Sequence, residues 1–114
     1  MNKNTEKAEC HTFDGGISAE QLEQWKNKYR KVVRIDVTDE GDLHVGYFRR
    51  PSMETMKAVS QVGKNDEMKA AEILFDNCWL GGSGDLRTEA LLFVEVQKQL
   101  GVMLSSCRSS LKNL

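Results

Sequence analysis

The sequence predicts a small α+β domain with an N-terminal helix, an antiparallel β-hairpin and then three helices packed on one face of the hairpin. Three observations support this fold class. The segment of residues 43–62 begins with the alternation typical of a strand, contains the only proline of the chain at Pro51, and continues after it with helical spacing. Residues 31–38 form a second strand-like segment before an acidic turn that contains a glycine. Many of the later apolar residues recur at helical intervals.

The junction between the second strand and the following helix lies at Pro51. Leu43, Val45 and Tyr47 fall on one face of a pleated strand. Proline has no N–H to donate to a sheet ladder, so the strand should end just before Pro51. Ser52 then stands where a helix N-cap belongs, because its hydroxyl can accept a backbone N–H of the first turn.

The first helix has a clear start. Ser18 and Gln21 have the spacing of a capping box, in which the serine hydroxyl accepts a backbone N–H of the first turn. The side chains that follow on one helical face are Leu22, Trp25, Lys26 and Tyr29. We interpret the two aromatic residues as packing against the sheet.

The first strand of the hairpin is predicted over residues 31–38, where Val33, Ile35 and Val37 alternate with polar residues. Gly41 supplies the positive φ that a short hairpin loop with a bulge requires. Two strands alone are marginally stable, so helices must cover one face. A third strand is not evident from the sequence.

Three helices are predicted after the hairpin, and their spans are about 53–63, 66–80 and 86–111. Asn65 or Asp66 should cap the second of them. Glycine-rich residues 81–85 separate the second from the third, and they lack the lysine and the strand context of a phosphate-binding loop. The last helix carries a broad apolar stripe, which suits a helix packed on two sides or one packed on the domain and also on a partner.

Length and charge limit the classes of function. A chain of 114 residues forms one domain, predicted over residues 17–114, after a flexible N-terminal arm of residues 1–16. Sixteen basic and 17 acidic side chains give a net charge of −1, which argues against a dedicated nucleic-acid binder. There is no apolar run long enough to cross a membrane, and the polar N-terminus does not resemble a secretory signal. We therefore expect a cytoplasmic protein.

The cysteines and histidines do not predict a catalytic or metal site. The three cysteines are an odd number without motif spacing, which indicates reduced thiols. Cys10, His11 and Asp14 lie together in the arm, but they offer a poor ligand set for zinc, which usually takes four protein ligands. No common catalytic motif is present, so we expect no enzyme activity, no metal and no cofactor.

The most concentrated chemical feature is the segment Tyr47, Phe48, Arg49 and Arg50, which we select as the candidate partner-binding site. Strand alternation places Phe48 and Arg50 together, on the face opposite Tyr47. An exposed aromatic residue beside an arginine is typical of a protein-binding anchor. In the alternative, a helix covers Phe48 and Arg50 pairs with Asp36 across the hairpin.

The order of these segments resembles the small tail assembly chaperones of long-tailed bacteriophages and prophages. The similarity covers about residues 17–82 and runs through ISAEQLEQWKNKY, VVRIDV, GYFRRPSMETMKA and AAEILFDNCWLGG. The residues that carry it most directly are Tyr47, Phe48, Arg49, Arg50, Pro51 and Cys78. Members of that family often have a proline soon after the cysteine, whereas tryptophan, leucine and two glycines follow Cys78 in this chain.

This resemblance implies a non-enzymatic protein that binds the tape measure protein, or the tail tube protein, during virion morphogenesis in the bacterial cytoplasm. The C-terminal helix could supply a groove for an amphipathic helix of the partner. Two alternatives remain open. One is a structural component such as a head–tail connector or tail-completion protein, and the other is a small nucleic-acid-binding regulator that uses the arginine pair. Oligomeric state is not determined by the sequence.

Overall fold

The computed structural model describes residues 10–114. The elements are, in chain order, β1 (Thr12–Phe13), α1 (Ala19–Lys28), β2 (Val32–Asp39), β3 (Asp42–Arg49), α2 (Met53–Gly63), α3 (Glu67–Cys78), β4 (Trp79–Gly82), α4 (Asp85–Thr88) and α5 (Ala90–Leu104). The α+β class is therefore as predicted. Within residues 10–114, no helix is both long and apolar enough to span a bilayer.

The four strands form a mixed sheet with β3 at its centre. β2 pairs antiparallel along one side of β3, from Val32 opposite Arg49 to Asp39 opposite Asp42. The other side of β3 is shared, because β1 pairs in parallel with its first half and β4 pairs antiparallel with its second half. The sheet is thus larger than the predicted hairpin, and β1 and β4 are strands that were not evident from the sequence.

The hairpin turn consists of Glu40 and Gly41, which have φ values of 50° and 93°. Positive φ at both central residues is what a tight two-residue hairpin loop requires. Asp39 pairs directly with Asp42 without a register shift, so the bulge expected at this turn is absent.

Both faces of the sheet are covered, which corrects the prediction of helices on one face. On the first face, Ile35, Val37 and Phe48 belong to the main core beneath α3, α4 and α5. On the opposite face, Trp25 of α1 lies against Tyr47, with 6.0 Å between ring centroids. The main core therefore takes the odd-numbered residues of β2 and the even-numbered residues of β3, because Val33 lies opposite Phe48 and Arg34 lies opposite Tyr47.

The predicted N-caps are confirmed. The hydroxyl oxygen of Ser18 accepts the backbone N–H of Gln21 at 3.0 Å, and that of Ser52 accepts the N–H of Thr55 at 3.1 Å. Of the two candidates for the next helix, Asp66 is the cap, and its carboxylate accepts the N–H of Lys69 at 3.0 Å. Each cap satisfies an N–H that has no partner within its own helix.

The single C-terminal helix predicted over residues 86–111 is instead two helices, α4 and α5, with an extended residue, Glu89, between them. The second helix ends at Leu104, before the predicted end. Ser105 and Ser106 there donate their hydroxyls to the carbonyls of Gly101 and Met103, at 2.9 and 2.7 Å. Such local bonds compete with continued helix formation.

Residues 1–9 of the predicted arm lie outside the described residues. The rest of the arm joins the fold, since Thr12 and Phe13 pair with Leu43 and His44 of β3. The arm's expected lack of structure is therefore wrong for these two residues. β4 pairs only with the second half of β3, which leaves the first half free to accept β1.

Candidate protein-binding surface

The two aromatic residues of the predicted site lie inside the protein. Phe48 is 0% exposed and packs edge-on against Phe75 and Trp79, with centroid distances of 5.2 and 5.3 Å. Tyr47 is buried on the other face beneath Trp25. The prediction that Phe48 lies exposed on an outer face is wrong, because that face carries the main helical layer. The alternative, a helix over Phe48, describes the structure.

The two arginines of the predicted site reach the surface. The guanidinium of Arg49 lies 5.4 Å from the ring centroid of Tyr29, close enough for a cation–π contact. Arg50 reaches the hydroxyl of Ser106 at 3.5 Å. Arg50 does not pair with Asp36 as the alternative proposed; Arg34 does, with 2.7 Å between Nε and Oδ1.

Five cations surround one surface hollow of about 370 Å³, next to Tyr29 and Pro51. We call them the basic cluster, and they are Lys28, Arg30, Lys31, Arg49 and Arg50. No carboxylate of residues 10–114 forms an ion pair with any of them. Like charges held close together repel one another, so an anionic group at this hollow would be favourable.

A second surface feature is an apolar groove between α3 and α5. We call it the helical groove, and define it by Met68 and Ala71 of α3 and Phe93 and Val94 of α5. It comprises a hollow of about 320 Å³ and a neighbouring hollow of about 250 Å³. Met68 is 58% exposed and Val94 46% exposed, and nearby Leu91 is 82% exposed. Apolar side chains clustered at this exposure are typical of an interaction surface.

The rim of the helical groove is held in place by Arg87. Its Nε bonds to Oδ1 of Asp76 at 2.8 Å, and this hydrogen bond raises the pKa of the guanidinium. The same guanidinium lies 5.5 Å from the centroid of Phe93, which forms the floor of the groove. α3 and α5 are therefore tied together at one end of the groove.

The sequence contained only part of the signal for this groove. The apolar stripe on the last helix is widened by Leu91, Phe93, Val94 and Leu104, of which Phe93 and Val94 line the groove. Methionines such as Met56, Met68 and Met103 are usual both in cores and at peptide-binding grooves, and Met68 is the one that lines this groove. The pairing of α3 with α5 could not be predicted, because it depends on how the intervening β4 and α4 turn the chain.

Cys78 has the environment of a core residue. It is fully buried, and burial raises the pKa of its thiol to about 11, against a smaller opposing effect from Arg49. A nucleophilic cysteine needs a lowered pKa and access to a substrate. We therefore interpret Cys78 as a small core residue.

A buried histidine–serine contact was missed by the sequence analysis. Nδ1 of His44 lies 2.8 Å from the hydroxyl of Ser83, and both side chains are buried. The ring of Phe13 stacks on His44 at a centroid distance of 4.9 Å. A catalytic serine must reach its substrate, so we interpret this contact as joining β1, β3 and the residue after β4.

Within residues 10–114, no three histidine, cysteine or acidic side chains are grouped as they would be around a metal ion. His11 instead approaches Asp42, with 3.7 Å between Nδ1 and Oδ1.

Comparisons with known proteins bear on the fold. No protein-family model matches the sequence, and no curated protein matches it. Among solved structures, the chain is similar to the uncharacterised protein rbstp2171 from Bacillus stearothermophilus. The TM-score is 0.53 at 23% sequence identity, and the alignment covers 80% of this chain and 99% of that one. At this level of identity the likeness shows a shared fold alone.

Proposed function

We propose that this protein is a non-enzymatic tail assembly chaperone, which binds an amphipathic helix of a tape measure protein in the helical groove. The observation that carries the proposal is the groove itself, an apolar channel between α3 and α5 with exposed Met68 and Val94 on opposite sides. The family resemblance of residues 17–82 supplies the identity of the partner.

The groove has the chemistry of a helix-binding site. Such sites shield the apolar stripe of a partner helix through side chains at helical spacing. Methionine suits this task because its unbranched, polarizable side chain adapts to different partners. Glu67, Glu72 and Arg87 line the rim, where they can contact the polar flanks of a bound helix.

The nucleic-acid alternative has less support from the surface. Proteins that bind single-stranded nucleic acid stack its bases on exposed aromatic rings and hold its phosphate backbone with cationic side chains. Tyr29 is the aromatic residue beside the basic cluster, and its ring already contacts Lys28 and Arg49, each 5.4 Å from the ring centroid. The cluster therefore offers charge without a free stacking surface.

The test is co-purification with a co-expressed tape measure protein from the same genome. We expect the wild type to retain that protein in solution. The double variant Met68→Glu/Val94→Glu should reduce co-purification by about tenfold or more, since it places charges where apolar contacts form.

The matched control is Met53→Glu. Met53 is 75% exposed but lies on α2, outside the groove, so its variant should bind like the wild type. Circular dichroism melts of all variants would show that folding is unchanged. If the groove variant and the control retained equal amounts of the tape measure protein, the binding site would lie elsewhere. If the wild type retained none, the tape measure protein would be rejected as the partner.

Mass spectrometry of purified particles separates the chaperone from the structural alternative. A chaperone should be absent from finished virions, whereas a connector or completion protein should be present in stoichiometric amount.

A further inference from the structure

β2 is an edge strand whose outer side has no partner in the described chain. It pairs with β3 alone. No other backbone hydrogen bond within residues 10–114 involves Val32–Asp39. An eight-residue strand with a free edge is long enough to pair with another strand, and proteins usually cover, shorten or charge such edges.

The sequence of this edge is complementary to itself in one antiparallel register. When two copies pair about Ile35, Arg34 of each lies opposite Asp36 of the other. Lys31 then lies opposite Asp39, so every charged position on the edge faces the opposite charge. Opposite charges directly across a strand pair are favourable, and like charges are unfavourable.

The neighbouring registers fail on charge. Along an edge strand, the backbone N–H and C=O groups that point outward belong to every second residue. When two identical edges pair antiparallel, the two-fold axis between them must therefore lie at a residue and not between two residues. A register centred on Arg34 sets two guanidinium groups opposite each other, and one centred on Asp36 sets two carboxylates opposite each other. The register centred on Ile35 is therefore selected among these three.

The ends of the strand are complementary as well. The basic cluster lies at the start of β2, and the acidic turn with Asp39 and Glu40 lies at its end. Asp39 and Glu40 are exposed and take part in no ion pair within residues 10–114. Antiparallel pairing brings the acidic turn of each copy beside the basic cluster of the other, which supplies the anionic group that the cluster lacks.

An apolar groove also runs along this edge. Its volume is about 310 Å³, and it lies between Val33 of β2 and Val102 and Met103 of α5. In the register about Ile35, Val37 of the second copy lies opposite Val33, on the face of the sheet that α5 covers. Val37 is buried in the core of its own copy, so it does not fill the groove, and the charged contacts alone select the register.

We propose that the chain forms a two-fold symmetric dimer through antiparallel pairing of β2 with β2 of a second copy. The two sheets join into one continuous sheet. Two-fold dimers with self-complementary surfaces are the commonest closed assemblies. The inference is independent of the proposed function, because the helical groove lies at the other end of α5.

The test exchanges charges at the centre of the interface. R34D places a carboxylate opposite Asp36 of the second copy, and D36R places two guanidinium groups opposite each other. Each single variant should raise the dimer dissociation constant by about tenfold or more, measured by sedimentation over a concentration series. An equimolar mixture of the two variants should recover the dimer, because the R34D copy then carries two carboxylates and the D36R copy two guanidinium groups.

The control is the double variant R34D/D36R, which restores both the pair within the strand and the pairs between copies. It should dimerise like the wild type, and circular dichroism would show that all variants are folded. A monomeric wild type, a dimer unaffected by either single variant, or no recovery in the mixture would overturn the proposal. If this edge binds a strand of another protein instead, the wild type alone should be monomeric, which is the first of these outcomes.

A cross-link tests the register directly. The variant K31C/D39C, in a background where Cys10 and Cys107 are replaced by serine, should form disulfides between copies under mild oxidation. In each single variant, the introduced cysteines of the two copies lie eight residues apart along the paired strands, which is about 27 Å, so they should not cross-link. Equal cross-linking of the single and double variants would exclude this register.

Discussion

At the scale of the residue, Phe48 shows how much one side chain contributes to the core. Its ring meets Phe75 edge-on, and Phe75 stacks in turn on Trp79 and Phe93. Edge-to-face and stacked pairs add stability beyond the area that they bury. Phe48 therefore joins the sheet to both α3 and α5.

We expect Phe48→Ala to destabilise the protein by about 3–5 kcal/mol, through lost burial and the cavity that remains. Arg50→Ala, two residues further along the chain and at the surface, should change the stability by no more than about 0.5 kcal/mol. Urea denaturation of both variants measures the difference. Similar midpoints for the two would contradict the assignment of Phe48 to the core.

Cys78 gives a prediction about pH. Its thiol has a folded-state pKa of about 11, raised by burial from the ordinary value of 9.0. Between pH 9 and 11 the unfolded chain loses this proton while the folded chain keeps it, so stability should fall as the pH rises through this window. Melting temperatures should show a shallower fall for Cys78→Ala than for the wild type. Parallel curves would show that the thiol stays accessible in the folded state.

At the scale of the element, the junction between β3 and α2 follows local rules. Arg49 ends the strand, Pro51 prevents its continuation and Ser52 caps the helix. These effects depend on neighbouring residues only, which is why the sequence predicted them correctly.

Replacing Ser52 with alanine should cost about 1 kcal/mol, because the N–H of Thr55 loses its acceptor. Ser60→Ala, on the exposed side of the same helix, is the control and should be close to neutral. A thermal or urea melt compares them. Equal stability of the two variants would mean that the cap contributes nothing.

β4 is an element that local sequence rules did not predict. It was predicted as the end of a helix and a flexible glycine-rich loop, but its backbone pairs with β3. Gly82 has a φ of 137°, and a Cβ there would lie 2.3 Å from the carbonyl oxygen of Val45. The glycine therefore permits a close approach of two backbones, and the sequence alone does not distinguish that role from flexibility.

At the scale of the whole molecule, the charges are nearly balanced in number but separated in space. The net charge is −1, yet the basic cluster lies at one end of the hairpin and the acidic turn at the other. This separation is what makes an antiparallel dimer favourable. The helical groove lies away from both, so one chain can carry a self-association edge and a partner-binding groove.

The sequence by itself determined the α+β class, the hairpin, the helix caps and the start of each helix that has a side-chain cap. Each of these depends on alternation, on proline or on a side chain within one turn. Tertiary structure decided which side of the hairpin became the core. Phe48 and Tyr47 are similar aromatic neighbours on opposite faces, and their places depend on α5 covering one face and α1 the other. The helical groove and the free edge of β2 likewise arise from contacts between segments distant in sequence, and no local pattern encodes where such segments meet.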